Sequence, residues 1–368
     1  MSVPALVAVW YLASILAIVT CKSVLLTVAC PATLCATQLA CAAAGLRLMG
    51  SGERTKSASL PPLAQPEFKL VLAIGASYCF GFLLTNAAIA YAAPSFVETI
   101  KSGEPLSTVV LAAAFLGERD SLLTLACLVP IVLGVSMASG FGGSDHFSAV
   151  GFSLALASNF SFSGRAVLTK ALRRYHPEAR ASRSDSVLFY HVSRLGFWLV
   201  LPVSLLVDAG VLKVALLGSG GGGSGGDDDD DGMPPRAIVV SGTNSGSNGG
   251  DGGGGGDGSS GGALHLLALL LANGCAHALY NGVSFAVLSR VTVTTHAVLN
   301  IVRRVALIAV TAVLFGTRVS AFNWAGVALA VAGCIGFARS KQQGGPVPVV
   351  GALGLPLLPL TTQVAKAL

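Results

Sequence analysis

The chain has 368 residues, of which 53% are hydrophobic and only 11% charged, with a mean hydropathy of +0.73. Soluble domains carry about 25% charged residues, so this composition excludes a soluble globular protein and indicates a polytopic membrane protein. The formal charge of +6 comes from basic residues scattered over short loops, with no basic–aromatic face, which excludes nucleic acid as a partner.

Ten apolar stretches are long enough, or nearly so, to span a bilayer as helices. They run approximately over 4–21, 24–46, 68–92, 95–117, 121–139, 148–169, 186–210, 263–287, 295–315 and 322–339. The expected organisation is a transporter-like helical domain over 1–217, a disordered Gly/Asp-rich loop over 218–262, three further spans over 263–341 and a flexible tail over 342–368. Glycine patterns inside the 218–262 insert lack any strand–loop–helix context, and its run Asp227 to Asp231 reads as a solvated linker. No charged leader or small-residue cleavage site precedes the first span: either the true start lies upstream of this sequence or no presequence is needed.

The eight cysteines lie in or beside apolar spans without metal-ligand spacing, so neither a metal nor a cofactor is expected. With ten spans, one side collects Arg47, Arg54, Lys56, Lys170, Arg173, Arg174, Arg290 and Arg339, while the other has mainly Lys22, Arg318 and the acidic insert. The positive-inside rule then places both termini on the cytosolic side or its topological equivalent.

Arg303 and Arg304 fall near the middle of the ninth stretch. An arginine at a bilayer centre costs roughly 2.5–3.5 kcal/mol on insertion scales, so the pair needs an anion, a carboxylate or a wet cavity. The sequence also repeats itself weakly: Gly117 is followed 17 residues later by Gly134, and Gly316 by Gly333. Thirteen residues before Gly117 and Gly316 stand Glu104 and Arg303. Two halves of five spans each would insert in opposite senses, an inverted repeat that puts a substrate site near the midplane. The counterpart of the arginine helix carries Glu98, Lys101 and Glu104 on neighbouring turns, followed by Pro105. Either Lys101 is neutralised by its own glutamates, or it joins Arg303 and Arg304 across the repeat interface to hold a dianion such as phosphate, with Arg165 of the sixth span nearby.

On these residues a family resemblance emerges. The segment Leu279-Tyr-Asn281 through Thr295-His-Ala-Val-x-Asn-x-x-Arg303-Arg304 resembles the corresponding segment of the plastid sugar-phosphate/phosphate translocators. Gly81-x-x-x-Thr85-Asn86, Thr99-Ile-Lys-Ser-Gly-Glu-Pro105, Phe115-Leu-Gly-Glu118 and Ser158-Asn159 through Arg165 are similar to that family's third to sixth spans. The resemblance implies a fold of ten transmembrane helices in two inverted five-helix repeats and counter-exchange of inorganic phosphate for phosphorylated sugars or three-carbon phosphate esters. It implies that Lys101, Arg303 and Arg304 grip the phosphate and that Tyr280 and Thr85 touch the rest of the substrate. It also implies a plastid envelope or plastid-bounding membrane, with an endomembrane left open, and says nothing of oligomeric state.

The chain departs from that pattern at three positions. Arg303 replaces a lysine, Phe82 stands where triose-phosphate carriers have histidine, and Glu98 stands where histidine usually precedes the lysine. Two alternatives remain open at this stage: a nucleotide-sugar or other organic-anion carrier of the same superfamily, and a membrane-embedded transferase. The transferase lacks candidate acid–base groups other than Glu98 and Glu104, which have Lys101 to pair with. His277 and His296, each alone in an apolar span, are expected to be hydrogen-bonded structural residues.

Overall fold

A computed structural model describes residues 2–48, 66–138, 148–175, 185–217, 258–288, 290–291, 293–316, 320–343 and 347–348. Helices dominate them: α1 (Val3–Thr27), α2 (Pro31–Leu48), α3 (Pro66–Tyr91), α4 (Pro94–Lys101), α5 (Glu104–Leu116), α6 (Leu122–Ala126), α7 (Leu128–Ala138), α8 (Ala149–Tyr175), α9 (Asp185–Val207), α10 (Ala209–Leu217), α11 (Gly258–Leu288), α12 (Val293–Leu314) and α13 (Ala321–Gln343). The strands among the described residues are β1 (Glu118–Arg119) and β2 (Val347–Pro348), a short antiparallel pair that brings part of the expected tail back to the body. Most of the Gly/Asp-rich insert, for which disorder is expected, and most of the tail lie outside the described residues.

Every expected stretch is helical over at least part of its length, and five helices among the described residues are long and apolar enough to cross a membrane. Two stretches are broken. The fourth divides into α4 and α5 at Ser102–Gly103, just ahead of Pro105, which has no N–H to give to the preceding turn. The fifth divides into α6 and α7 at Cys127. Proline opens several helices (Pro31, Pro66, Pro94), where its missing N–H is harmless.

Helix ends that would leave orphan polar groups in lipid are closed by charged side chains. Lys22 donates to the carbonyls of Ile89 and Ala92 at the end of α3 (2.8 and 3.2 Å). Buried Asp208, between α9 and α10, accepts from the Thr33 N–H at the start of α2 (2.6 Å). Each sign matches the helix dipole it meets. Meanwhile Leu12, Leu16, Trp198, Leu206 and Val313 point outward and exposed, as side chains solvated by lipid do.

The packing carries the repeat. Shifting each stretch by five exchanges α1 with α8, α2 with α9, α3 with α11, α4–α5 with α12, and α6–α7 with α13. Under that exchange the contact of α3 with α8 becomes that of α11 with α1, and α2 with α11 becomes α9 with α3. The contacts α2 with α9, α4 with α12 and α7 with α13 map onto themselves. This is the pattern a two-fold axis between the halves produces. Gly117 and Gly316, the repeat-related glycines, end α5 and follow α12 with φ of 64° and 62°, left-handed values that favour glycine.

The second pair of repeat-related glycines lies in a close contact between α7 and α13. A Cβ on Gly134 of α7 would sit 2.3 Å from the Ala330 nitrogen, and one on Gly333 of α13 would sit 2.7 Å from Ile131. Small residues let two backbones approach where lipid offers no hydrophobic drive. Gly134→Leu should therefore destabilise the fold by about 1–3 kcal/mol or more, read as a lower Tm in detergent. Gly210→Ala, with nothing within 4 Å of the added carbon, should leave the Tm unchanged or slightly raised.

Candidate substrate site

The fourth-stretch break fixes the site's first cation. Lys101 is the last residue of α4, where the carbonyl end of the helix dipole favours positive charge. The carbonyl of Ile100 is taken by Asn159 Nδ2 at 2.9 Å, so the interrupted turn is not left unpaired. Buried Lys101 donates to Thr85 Oγ1 at 2.9 Å and stands 4.7 Å from the centre of the Phe162 ring. Thr85 in turn donates to the Gly81 carbonyl (2.7 Å). Gly81 itself has no room for a side chain, because a Cβ would lie 2.9 Å from Phe162. The run Gly81-x-x-x-Thr85 thus seats both the ring and the hydroxyl that hold Lys101.

The second helix supplies two arginines with different fates. Arg304 donates through Nη2 to Glu104 Oε2 at 2.7 Å. Its Nη1 lies 3.5 Å from Glu98 Oε2, close enough for ionic attraction but without hydrogen-bond geometry. Arg303 meets no carboxylate among the described contacts. It donates through Nε and Nη2 to Asn300 Oδ1 (3.1 and 2.9 Å) and lies over the rings of Trp10 and Tyr280 at 5.6 and 5.8 Å. Each such ring contact contributes about 0.5–2 kcal/mol, less than an ion pair lost to burial would need.

Lys101 and Arg303 both line a cleft of about 470 Å³, open space at its mouth included. Thr85, Phe82 and Tyr280 line it as well, so five of the residues expected from sequence come together. Arg304 and Arg165 are not among the lining residues. Arg304 is engaged by the two glutamates, and Arg165 on α8 stacks its guanidinium over Tyr78 at 5.3 Å. The three charges Glu98, Lys101 and Glu104 do not share one continuous helix, because the break puts Glu104 at the start of α5. The carboxylate contacts among the described residues run to Arg304, Glu104 at 2.7 Å and Glu98 at 3.5 Å, while Glu98 also lines the cleft with Lys101.

Three lining groups were not foreseen as site residues. Gln38, Asn86 and Asn273 form a buried amide chain, with Asn86 Nδ2 donating to Gln38 Oε1 (3.0 Å) and Gln38 Nε2 to Asn273 Oδ1 (2.9 Å). Gln38 and Asn86 face the cleft. His277 lines it too, its ring edge-on to Phe82 and Tyr280 (4.6 and 5.1 Å between centres) and its enclosed Nε2 without a partner. The available signal was a lone amide or imidazole in an otherwise apolar span. No cluster of metal-ligating side chains occurs among the described residues.

The sequence model of the Triose-phosphate Transporter family matches residues 1–223 and 235–338. Phosphoenolpyruvate/phosphate translocator 3, chloroplastic, of Oryza sativa subsp. japonica is 31% identical over 342 residues, covering 92% of this chain and 74% of its own length. Phosphoenolpyruvate/phosphate translocator 2, chloroplastic, of Arabidopsis thaliana is 30% identical over 334 residues, covering 91% and 76% respectively. The triose phosphate/phosphate translocator of non-green plastids of Brassica oleracea var. botrytis is 28% identical over 337 residues, covering 92% and 72%.

The Arg304–Glu104 pair joins α12 to α5 through a charged hydrogen bond, and its two members should be energetically coupled. A double-mutant cycle of Arg304→Gln and Glu104→Gln, read by thermal unfolding in detergent, should give about 1.5–3 kcal/mol of coupling. Additive effects would show that the contact contributes nothing.

Proposed function

The chain belongs to the Triose-phosphate Transporter family, and from that membership we propose that it exchanges inorganic phosphate for phosphorylated sugars or three-carbon phosphate esters by alternating access. The observation that carries this reading is the pair Lys101 and Arg303, two cations lining one cleft with no carboxylate bound to either. Together they suit a phosphate dianion: the guanidinium offers a planar fork and the ammonium a point charge. Arg304, next to Arg303, backs the site by binding Glu104 and drawing on Glu98, which itself lines the cleft. Thr85 and Tyr280 contact the carbon moiety, and Arg165 adds positive potential from α8. Relatives named chloroplastic support a plastid envelope as the membrane. As a member of a transporter family, the chain is not an enzyme.

Coupling follows from electrostatics. An empty cleft holds uncompensated cations, and closing it away from water costs several kcal/mol per ion. A bound dianion removes that cost, so the halves reorient with cargo and not without it. Each passage then returns the site only when a second anion loads, which makes exchange obligatory.

The purified protein in liposomes preloaded with phosphate should take up labelled phosphate rapidly, and empty liposomes should not. Lys101→Ala and Arg303→Ala should each lower exchange at least about thirtyfold, because removing a charge partner of a desolvated anion costs about 2 kcal/mol or more. Equal uptake into empty and loaded liposomes refutes obligatory exchange, and full activity in either variant refutes the site.

A further inference from the structure

We propose that His277 recognises the carbon moiety of the cargo, its imidazole hydrogen-bonding an oxygen of the phosphate ester while Lys101 and Arg303 hold the phosphate. This rests on the phosphate-exchange reading and adds to it a specificity-determining residue on α11.

The polar atoms of the cleft wall single this residue out. Ser14 donates to the Trp10 carbonyl at 2.7 Å, Thr85 donates to Gly81 and accepts from Lys101, and Gln38 and Asn86 bond each other. Among the described residues, two lining side-chain atoms are enclosed without a hydrogen-bond partner: Glu98 Oε2 and His277 Nε2. Glu98 Oε2 has the Arg304 guanidinium 3.5 Å away. His277 Nε2 has no such ion opposite it among the described contacts, although the residue is only 2% exposed. A buried polar atom left unpaired is unfavourable, and native proteins keep few of them. An imidazole nitrogen donates or accepts according to its tautomer, so this one suits a hydroxyl, carbonyl or carboxylate oxygen alike.

Packing orients the imidazole and ties it to the phosphate grip. The ring is edge-on to Phe82 at 4.6 Å and 76°, and to Tyr280 at 5.1 Å and 82°. Phe82 is in turn edge-on to Phe162 at 5.0 Å, and Phe162 is the ring whose centre lies 4.7 Å from Lys101 Nζ. A chain of aromatic contacts therefore runs from the ammonium to the imidazole, and edge-to-face pairs of this kind hold ring orientation. An ester anchored by Lys101 and Arg303 shares one cleft with Nε2. Because Nε2 is enclosed, the bond forms as these walls adjust around the cargo. Inorganic phosphate has no carbon moiety and draws on the cations alone.

The test compares ester with phosphate in one preparation. In liposomes preloaded with phosphate, half-saturating concentrations are measured for inorganic phosphate, phosphoenolpyruvate, dihydroxyacetone phosphate and glucose 6-phosphate. For the ester that the natural protein binds best, the ratio of its value to that of phosphate should rise at least about fivefold in His277→Phe, which keeps a ring in the edge-on contacts and removes Nε2. His277→Gln, whose amide nitrogen reaches toward the Nε2 position, should bring the ratio back to within about twofold of the natural protein. An unchanged ratio in well-folded His277→Phe overturns the proposal, including the case where phosphate and ester weaken equally, as a purely structural role requires. A ratio as high in His277→Gln as in His277→Phe overturns the hydrogen bond. Should His277→Phe unfold at a much lower temperature than the natural protein, His277→Leu is judged by the same ratio. Absence of phosphate–phosphate exchange in the natural protein is a different failure, that of the antiport reading itself.

Discussion

The ion pair of Arg304 with Glu104, supported by Glu98, is the contact on which the rest of the molecule turns. Five charged groups converge between α4, α5 and α12, in a region where lipid surrounds the bundle and bare charges are costly. Pairing all of them would make a neutral knot and leave nothing to bind an anion. Pairing none would leave the cluster too unfavourable to close. Spending both carboxylates on one arginine does neither: it ties the two halves together and leaves Lys101 and Arg303 facing the cleft. The break before Pro105 makes this possible, because it turns Glu104 onto a new helix while Lys101 stays at the end of the old one.

The two-fold packing puts that cluster where the halves meet. Contacts α2 with α9, α4 with α12 and α7 with α13 all lie across the boundary that the repeat defines. They differ in chemistry. The α7–α13 contact is backbone against backbone through Gly134, Gly326 and Gly333. The α4–α12 contact is long side chains and charge, which can rearrange with an occupant. On the proposed alternating access, a structure that moves between two states while staying folded needs both kinds, and here the ionic contact falls at the candidate site.

Much of this was legible in the sequence. Mid-span arginines, a lysine before Gly-Glu-Pro and two glycine pairs at equal spacing mark the opposing helices and the repeat without any coordinates. What the sequence could not settle is which arginine takes the carboxylates. Adjacent residues on a helix point about 100° apart, so the rotation of α12 against α4 decides the matter, and neighbouring helices set that rotation. The amide chain was equally out of reach, since Gln38 and Asn273 are 235 positions apart. Boundaries moved as well: α1 runs on to Thr27 beyond the expected end at 21, and α10 is a separate short helix. Lys22 explains the first shift, since it binds the end of α3 from within a continuing helix.

The position of Phe82 links these themes. It stands on α3 where, by the resemblance, triose-phosphate carriers have histidine, and an imidazole meets it from α11: His277, 4.6 Å between ring centres. The helices α3 and α11 are exchanged by the repeat. A polar ring lost from one half is therefore faced by a polar ring on the equivalent helix of the other. In a site built from two related halves, a side chain of given chemistry can be supplied from either wall, provided the cleft is narrow enough for both to reach the ligand. The proposed phosphate grip has no such freedom, because its lysine depends on a helix end and its Arg303 on a neighbour, Arg304, that meets both carboxylates. On the proposed function, recognition of the carbon moiety is thus the part of this architecture free to vary, and the phosphate grip is the part held fixed.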